Sequence, residues 1–423
     1  MLLRFGVSNY RSISDYQEVL LAASSSKEHQ AQVISVKGLD AKILPAIGIY
    51  GANASGKSNV LQAFAFMRRM LLKSHANGSA TGGIARTPFQ LDPEVLKQPS
   101  HFDCDVLIDK VRYHYGFVVD DDRVREEWLY AYPSKHRQVW FHRQYNEEPT
   151  FYFGKFLKGK NKTIEALTRD NSLFLSAAAQ NNHQQLSKIY RYFEENYFFR
   201  LNAEHGFEHF ETSYLDNGMM KTPIIEFLKR ADTGIIDARI ENREIAVTDK
   251  SIIETIRYAL EKGSDSQNAN VNDTLRFGHQ SIGGKEIFLK LGDESRGTLQ
   301  LLTLLGPLFE ALDNEKVIFI DELDTSMHSL LSLQLLKLLN SPTSNKGGAQ
   351  LIFTTHDTNL LDGTVLRGDQ IWFTEKDKKG ATHLYPLTDI RTRNTDNFEK
   401  GYLQGHFGGI PFLGGLEVLF ARS

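Results

Sequence analysis

The sequence predicts an α/β fold whose core is interrupted by a long insertion. Three observations predict it. A glycine-rich loop, GANASGKS, joins an apolar strand to a helix at residues 51–58. A second apolar run ending in two acids, VIFIDE, lies at 317–322. A third, LIFTTHD, ends in a histidine and an aspartate at 351–357. Each carries part of one site, so the two ends of the chain must fold against each other.

The elements follow in order. Leu2, Arg4, Gly6 and Ser8 alternate with Leu3, Phe5 and Val7, the period of a strand with one apolar face. Ile43 to Tyr50 is apolar enough for a buried central strand, and SNVLQAFAFMRRMLLKS then reads as a helix. HANGSATGG, at 75–83, is small, polar and glycine-rich, as a mobile loop would be. From about residue 100 to 155 the pattern becomes hairpins with Asp-rich turns. Helices are expected over 177–200, about 222–231 and 251–262, and a polar linker over 261–273. GKEIFLKLG returns to strand character. After it come an apolar helix in GTLQLLTLLGPLFEALDN, the VIFIDE strand, a helix in SMHSLLSLQLLKLLN, and strands in QLIFTTH and DQIWFTEKD. The final GGLEVLFARS is left out of this reading.

Composition narrows the function classes. The chain has 423 residues, 41% hydrophobic and 24% charged, which excludes disorder as its main state. That length suits two or three structural units, or one large one with an insertion. Lys and Arg number 49 against 52 Asp and Glu, a balance that argues against a constitutively basic nucleic-acid coat. The lone Cys104 rules out an internal disulfide framework or a cysteine-type zinc site, and fits a reducing cytoplasm. MLLRFGVSNYRSI lacks the apolar core of a signal peptide. No apolar run reaches the ~18 residues of a membrane span.

GANASGKS fits G-x-x-x-x-G-K-[ST]. Gly51 and Gly56 let the backbone wrap a phosphate, and the helix that follows adds its positive end. Lys57 supplies a point charge for β/γ-phosphates, and Ser58 a hydroxyl for Mg²⁺. Asp321 ends a buried strand where a carboxylate can hold Mg²⁺ through water. Glu322 follows as the candidate that polarises the attacking water. Ser295 and Gly297 open an apolar helix, an anion site or an ordinary cap. His356 is placed to bond a γ-phosphate or orient water. Arg112, Tyr113, His114, Arg137, Trp140, His142 and Arg143 mix basic and aromatic types. They read as a solvated sheet face with core aromatics, with nucleic-acid contact as the alternative.

Together these motifs resemble the ABC/SMC-type ATPase head. GANASGKSN looks like Walker A, with Asn53, Ala54, Ser55 and Asn59 inside it; VIFIDE looks like Walker B with its glutamate. Ser295-Arg296-Gly297-Thr298 is similar to a degenerate signature motif, Asp324 to the D-loop aspartate and His356 to the switch histidine. VSNYRSI is similar to the first strand of SMC-like heads, where Arg11 and Ser12 would reach the nucleotide. More narrowly, the chain resembles the OLD-related, AAA-type ATPases of bacterial abortive-infection systems. PFQLD, YHYGFVVD, EEWLYAYP and FGGIPFL share that character.

The resemblance implies a mixed β-sheet with flanking helices and an α+β insertion between Walker A and the signature. Residues 1–74 and 285–423 would form the head, and 75–284 the hairpin and helical insertion, part of it packed on the head. It implies an ATPase with ATP and Mg²⁺, closed as a homodimer or higher oligomer in which Ser295, Gly297, Thr298 and Asp324 act in trans. The function implied is a cytoplasmic antiphage sensor or scaffold controlling a separate toxin or nuclease, triggered by nucleic acid or a phage protein, with no membrane partner. A RecF-like clamp gripping DNA is the alternative. OLD-type nucleases carry a TOPRIM domain after the head. The 67 residues beyond His356 lack its length and its Asp-x-Asp, so no nuclease activity is expected.

Overall fold

The computed structural model describes residues 1–26, 29–36, 39–134, 136–201, 218–240, 275–325, 327–361, 363–390 and 397–409. The expected helix over 251–262, the linker over 261–273 and the tail GGLEVLFARS lie outside these residues. Strands β1 (Leu2–Ser8), β2 (Gln17–Leu20) and β3 (Ala46–Gly51) precede helices α1 (Lys57–Lys73) and α2 (Pro93–Lys97). Next come β4 (Ser100–Ile108), β5 (Val111–Val119), β6 (Val124–Tyr132), β7 (Gln138–Gln144) and β8 (Phe151–Phe153). They lead to α3 (Asn161–Leu167), α4 (Phe174–Gln180), α5 (Gln184–Glu195) and β9 (Tyr197–Arg200). Helix α6 (Gly218–Arg230) and strands β10 (Ile235–Ile240), β11 (Leu275–Gln280) and β12 (Glu286–Lys290) precede α7 (Arg296–Asn314). The chain continues through β13 (Val317–Ile320), α8 (Ser329–Asn340), β14 (Gln350–Thr354), β15 (Ile371–Lys376), β16 (Thr382–Pro386) and α9 (Phe398–Leu403).

A six-stranded sheet, ordered β16-β15-β3-β14-β13-β9, joins the two ends of the chain. All neighbours run parallel except the β16 edge. Parallel strands need cover on both faces, which is why β3, β13 and β14 are buried throughout and mostly apolar. Helix α1 covers one face, where Phe64 stacks on Phe319 of β13 at 4.7 Å. Leucines of α7 and α8 cover the other, in one cluster with Ile318, Ile320, Leu351 and Phe353. All six residues of β3 come after Pro45, which cannot donate to a ladder, so the strand starts three residues later than Ile43.

A seven-stranded antiparallel sheet, β2-β1-β4-β5-β6-β7-β8, packs beside it. Its hairpins therefore extend β1 itself. Buried Glu127 of β6 ties α4 to this sheet by accepting the N–H groups of Phe174 and Leu175 at 2.6 and 3.0 Å and the Tyr115 hydroxyl at 3.1 Å. A third sheet, β10-β11-β12, leads into α7.

Two further expectations differ from the structure. The helix expected over 177–200 is α4, a break, α5 and then strand β9. Asn182 takes a left-handed φ of 55°, and His183 caps the next helix by accepting Leu186 N–H. Tyr197–Arg200 then pairs in parallel with Val317–Ile320, because consecutive aromatics suit a strand in a sheet covered on both faces. Residues 75–83, expected as a mobile loop, are tied down: Asn171 donates to the carbonyls of Ser79 and Gly82, and Arg169 to that of His75. Among the described residues, no helix is long and apolar enough to cross a membrane.

Candidate functional site

The C-terminal ends of β3, β13 and β14 lie side by side, so the loops leaving them share one crevice. Gly51 closes β3 at φ 155°, and a Cβ there would lie 2.5 Å from the Thr374 carbonyl. The loop crest, Asn53 and Ala54, is exposed, and Ala54 holds the left-handed φ of 62°. Gly56 turns into α1 at φ 107°, where a Cβ would sit 2.2 Å from Thr382 Oγ1 and 2.8 Å from Ser12 Oγ. Only glycine fits that position.

Lys57 is 6% exposed and donates to the carbonyls of Gly51 and Ala52 at 2.9 and 3.1 Å. Burial lowers its pKa, and the charges of Asp321, Glu322 and Asp324 oppose that shift. Ser58 Oγ donates to Asp321 Oδ1 at 2.9 Å, and Thr354 Oγ1 donates to the same oxygen at 2.6 Å. Burial raises the Asp321 pKa while both hydroxyls hold it down. Glu322 sits at φ 53°, a strained value for a non-glycine residue, with its N–H on Thr354 Oγ1 at 2.7 Å. Its exposed carboxylate accepts from Thr325 Oγ1 at 3.0 Å.

Asp324 Oδ1 accepts from Thr355 Oγ1 at 2.6 Å and from the His356 N–H at 3.2 Å. The pKa of His356 is lowered by desolvation and by Lys57, against the pull of Asp324, Glu322 and Asp321. Lys57, Asp321, Glu322, Asp324 and His356 thus act on one another within a single electrostatic field. Ser12 also enters this region: Asn59 Nδ2 donates to its Oγ at 2.6 Å, and Thr382 Oγ1 lies 2.8 Å away. Arg11 is exposed at φ 51°, its guanidinium 5.8 Å from the Tyr10 ring centre.

Ser295 caps α7, accepting the Thr298 N–H at 3.1 Å, and Gly297 lies between them in the first turn. Among the described residues, no hydrogen bond or ion pair joins these three to the phosphate loop. The basic residues Arg112, His142 and Arg143 of the hairpin sheet are engaged within the protein. Arg112 lies over Tyr132 at 3.9 Å, His142 meets Glu126 at 2.7 Å, and buried Arg143 donates to the Ser172 carbonyl at 2.8 Å.

Four threonines of the crevice, Thr354, Thr355, Thr374 and Thr382, were not singled out from the sequence. Ser55 Oγ meets Thr374 Oγ1 at 2.6 Å, and Thr382 Oγ1 donates to the Ser55 carbonyl at 2.8 Å. Thr354 and Thr355 precede His356 directly, so two threonines closing an apolar run were the available signal. The oxygens of Ser58 and Asp321, adjacent and hard, fit Mg²⁺, which binds one or two protein oxygens beside phosphates and water. A loop of backbone N–H groups before a helix, with Lys57 inside it, fits the phosphates of ATP.

No match was found among curated protein sequences. Among solved structures, the SMC head domain from Thermotoga maritima is 11% identical over 91% of this chain and 98% of its own, with a TM-score of 0.41. An SmcHead bound to the C-winged helix domain of ScpA is 14% identical over 91% and 97%, with a TM-score of 0.38. A dimeric ATP-binding cassette in a post-hydrolysis state, bound to ADP and Pi, is 13% identical over 92% and 100%, with a TM-score of 0.30. Residues 47–362 match the family described as "AAA domain, putative AbiEii toxin, Type IV TA system". That match spans more than half of the chain and takes in the loop of Lys57, the Asp321 strand and the His356 strand, and the chain belongs to this AAA-domain family.

Proposed function

We propose that the chain is a Mg-ATP-dependent ATPase that works as a nucleotide-driven, dimerising sensor and scaffold in antiphage defence, holding or releasing a separate effector protein. One observation carries the ATPase part: Ser58 and Thr354 converge on one oxygen of Asp321 beside buried Lys57. Bound Mg²⁺ would neutralise phosphate charge. Ser58 and Asp321 would hold it, and Lys57 would exchange its two carbonyl partners for phosphate oxygens. Glu322, kept outward by its left-handed backbone, takes the proton from the attacking water. His356, favoured neutral by its lowered pKa, orients that water or bonds the γ-phosphate.

Ser295, Gly297 and Thr298 cap the nucleotide of a second copy in this reading. Asp324, bonded to Thr355 and the His356 N–H, links that contact to its own site. The toxin and toxin–antitoxin wording of the family description supports the defence setting.

Calorimetric ATP titration and phosphate release test the reading together. Lys57→Ala is expected to abolish ATP binding. Glu322→Gln is expected to bind ATP with turnover lost, and to dimerise with ATP by light scattering. His356→Ala is expected to keep binding and lose most turnover. Full turnover in Glu322→Gln, or wild-type protein that ignores ATP, overturns the ATPase assignment. A pull-down of Glu322→Gln from cells with ATP tests for the effector.

A further inference from the structure

Helix α9 and the turn after it, residues 397–409, lie beyond the family match at 47–362. The Tyr402 ring stacks on Phe373 of β15, with centres 5.5 Å apart and planes at 16°. It meets Tyr50 of β3 edge-on at 6.2 Å. Its hydroxyl donates to the Gly409 carbonyl at 3.1 Å. Gly409 holds φ 65°, and a Cβ there would sit 3.5 Å from Gly51 Cα and 3.5 Å from the Thr374 carbonyl.

The rest of the segment is built to hold that contact. Tyr385 Oη donates to the Phe407 carbonyl at 2.9 Å. A Cβ on Gly401 would lie 2.5 Å from the Phe407 ring, so glycine there lets Phe407 fold back on the helix. At the other end, Glu399 accepts from Thr358 Oγ1 at 3.2 Å, two residues past His356. One short segment therefore touches both the first residue of the phosphate loop and the run that follows His356.

The geometry points to Tyr402 as a positioning residue of the nucleotide site: its hydroxyl holds the Gly409 carbonyl, and the Gly409 backbone packed against Gly51 fixes where the phosphate loop begins. Gly51 has the widest backbone freedom of any residue type, so a loop starting there loses the most entropy when it orders around phosphate. A clamp made before nucleotide arrives removes part of that cost, and ATP affinity then depends on the C-terminal segment. This inference rests on the ATPase reading.

The test uses the full chain as wild type, Tyr402→Phe, Gly409→Ala and Lys57→Ala. ATP affinity by calorimetry, kcat and KM by phosphate release, and Tm without nucleotide are measured. Tyr402→Phe keeps the ring stack and removes only the hydroxyl. It is expected to raise Kd and KM for ATP roughly five- to tenfold, the size of one lost hydrogen bond. Its kcat and nucleotide-free Tm stay close to wild type. Gly409→Ala is expected to weaken ATP binding in the same direction. Wild-type Kd and KM in Tyr402→Phe overturn the inference, as does a fall in kcat with KM unchanged. Wild-type protein that binds ATP no better than Lys57→Ala overturns the functional reading itself, whatever Tyr402→Phe does.

Discussion

Asp321 Oδ1 takes two hydroxyl hydrogen bonds, and one of the hydroxyls, on Thr354, also receives the Glu322 N–H. Thr354 therefore orients both acids of the VIFIDE strand at once. Thr354→Val keeps the branched shape and leaves a carboxylate oxygen and an N–H short of a partner. We expect kcat to fall about tenfold, ~1.4 kcal/mol of barrier, in steady-state phosphate release. Lys57 was visible in the sequence through the glycine spacing of its loop, and Asp321 and His356 because polar groups at the ends of apolar runs stand out. Thr354 and Thr382 were not, because a threonine in a buried strand looks like any other branched residue until its hydroxyl finds a partner.

Among the elements, β1 and β4 are held by charge as well as by their ladder. Arg4 of β1 is paired with Asp103 and, at 3.3 Å, with Asp105 of β4. His101 Nε2 meets Asp103 Oδ1 at 3.1 Å. Burial pushes the Asp103 pKa up, but His101 and Arg4 outweigh it and bring it to about 2 from an ordinary 3.8. The folded chain thus binds this proton less readily than the unfolded one. The stabilisation, about 2 kcal/mol, is fully present above pH ~4 and is lost as pH falls through ~2. Asp103→Asn is expected to flatten that acid limb in urea unfolding followed against pH. The pairing of β1 with β4 could not be read from the sequence, since alternation announces a strand without naming its neighbour. The break at Asn182 and the start of β9 were hidden for a related reason: YFFR has no period of its own, and only the empty edge of β13 gives it a place.

For the whole molecule, the six-stranded sheet takes β3 from one end of the chain, β13, β14, β15 and β16 from the other, and β9 from between. Loading the crevice should therefore stabilise the assembled fold and not one local turn. With ATP and Mg²⁺ at a hundred times Kd, unfolding is expected to cost ~2.7 kcal/mol more, read as a rise in Tm. Lys57→Ala should show no rise. An equal rise in that variant would place the binding somewhere other than this crevice.

By itself the sequence determined that the chain is α/β, that its core is split, and which motifs carry the phosphate loop, the acidic strand and the histidine. These are local facts, set by the period of apolar residues and by which residue types tolerate a tight loop. Tertiary structure alone decided that the hairpins extend β1, that β9 closes the sheet beside Asp321, and that Tyr402 holds Gly409 against Gly51. Such contacts join residues far apart in sequence, and hydrogen-bond partners chosen by packing leave no spacing along the chain from which to read them.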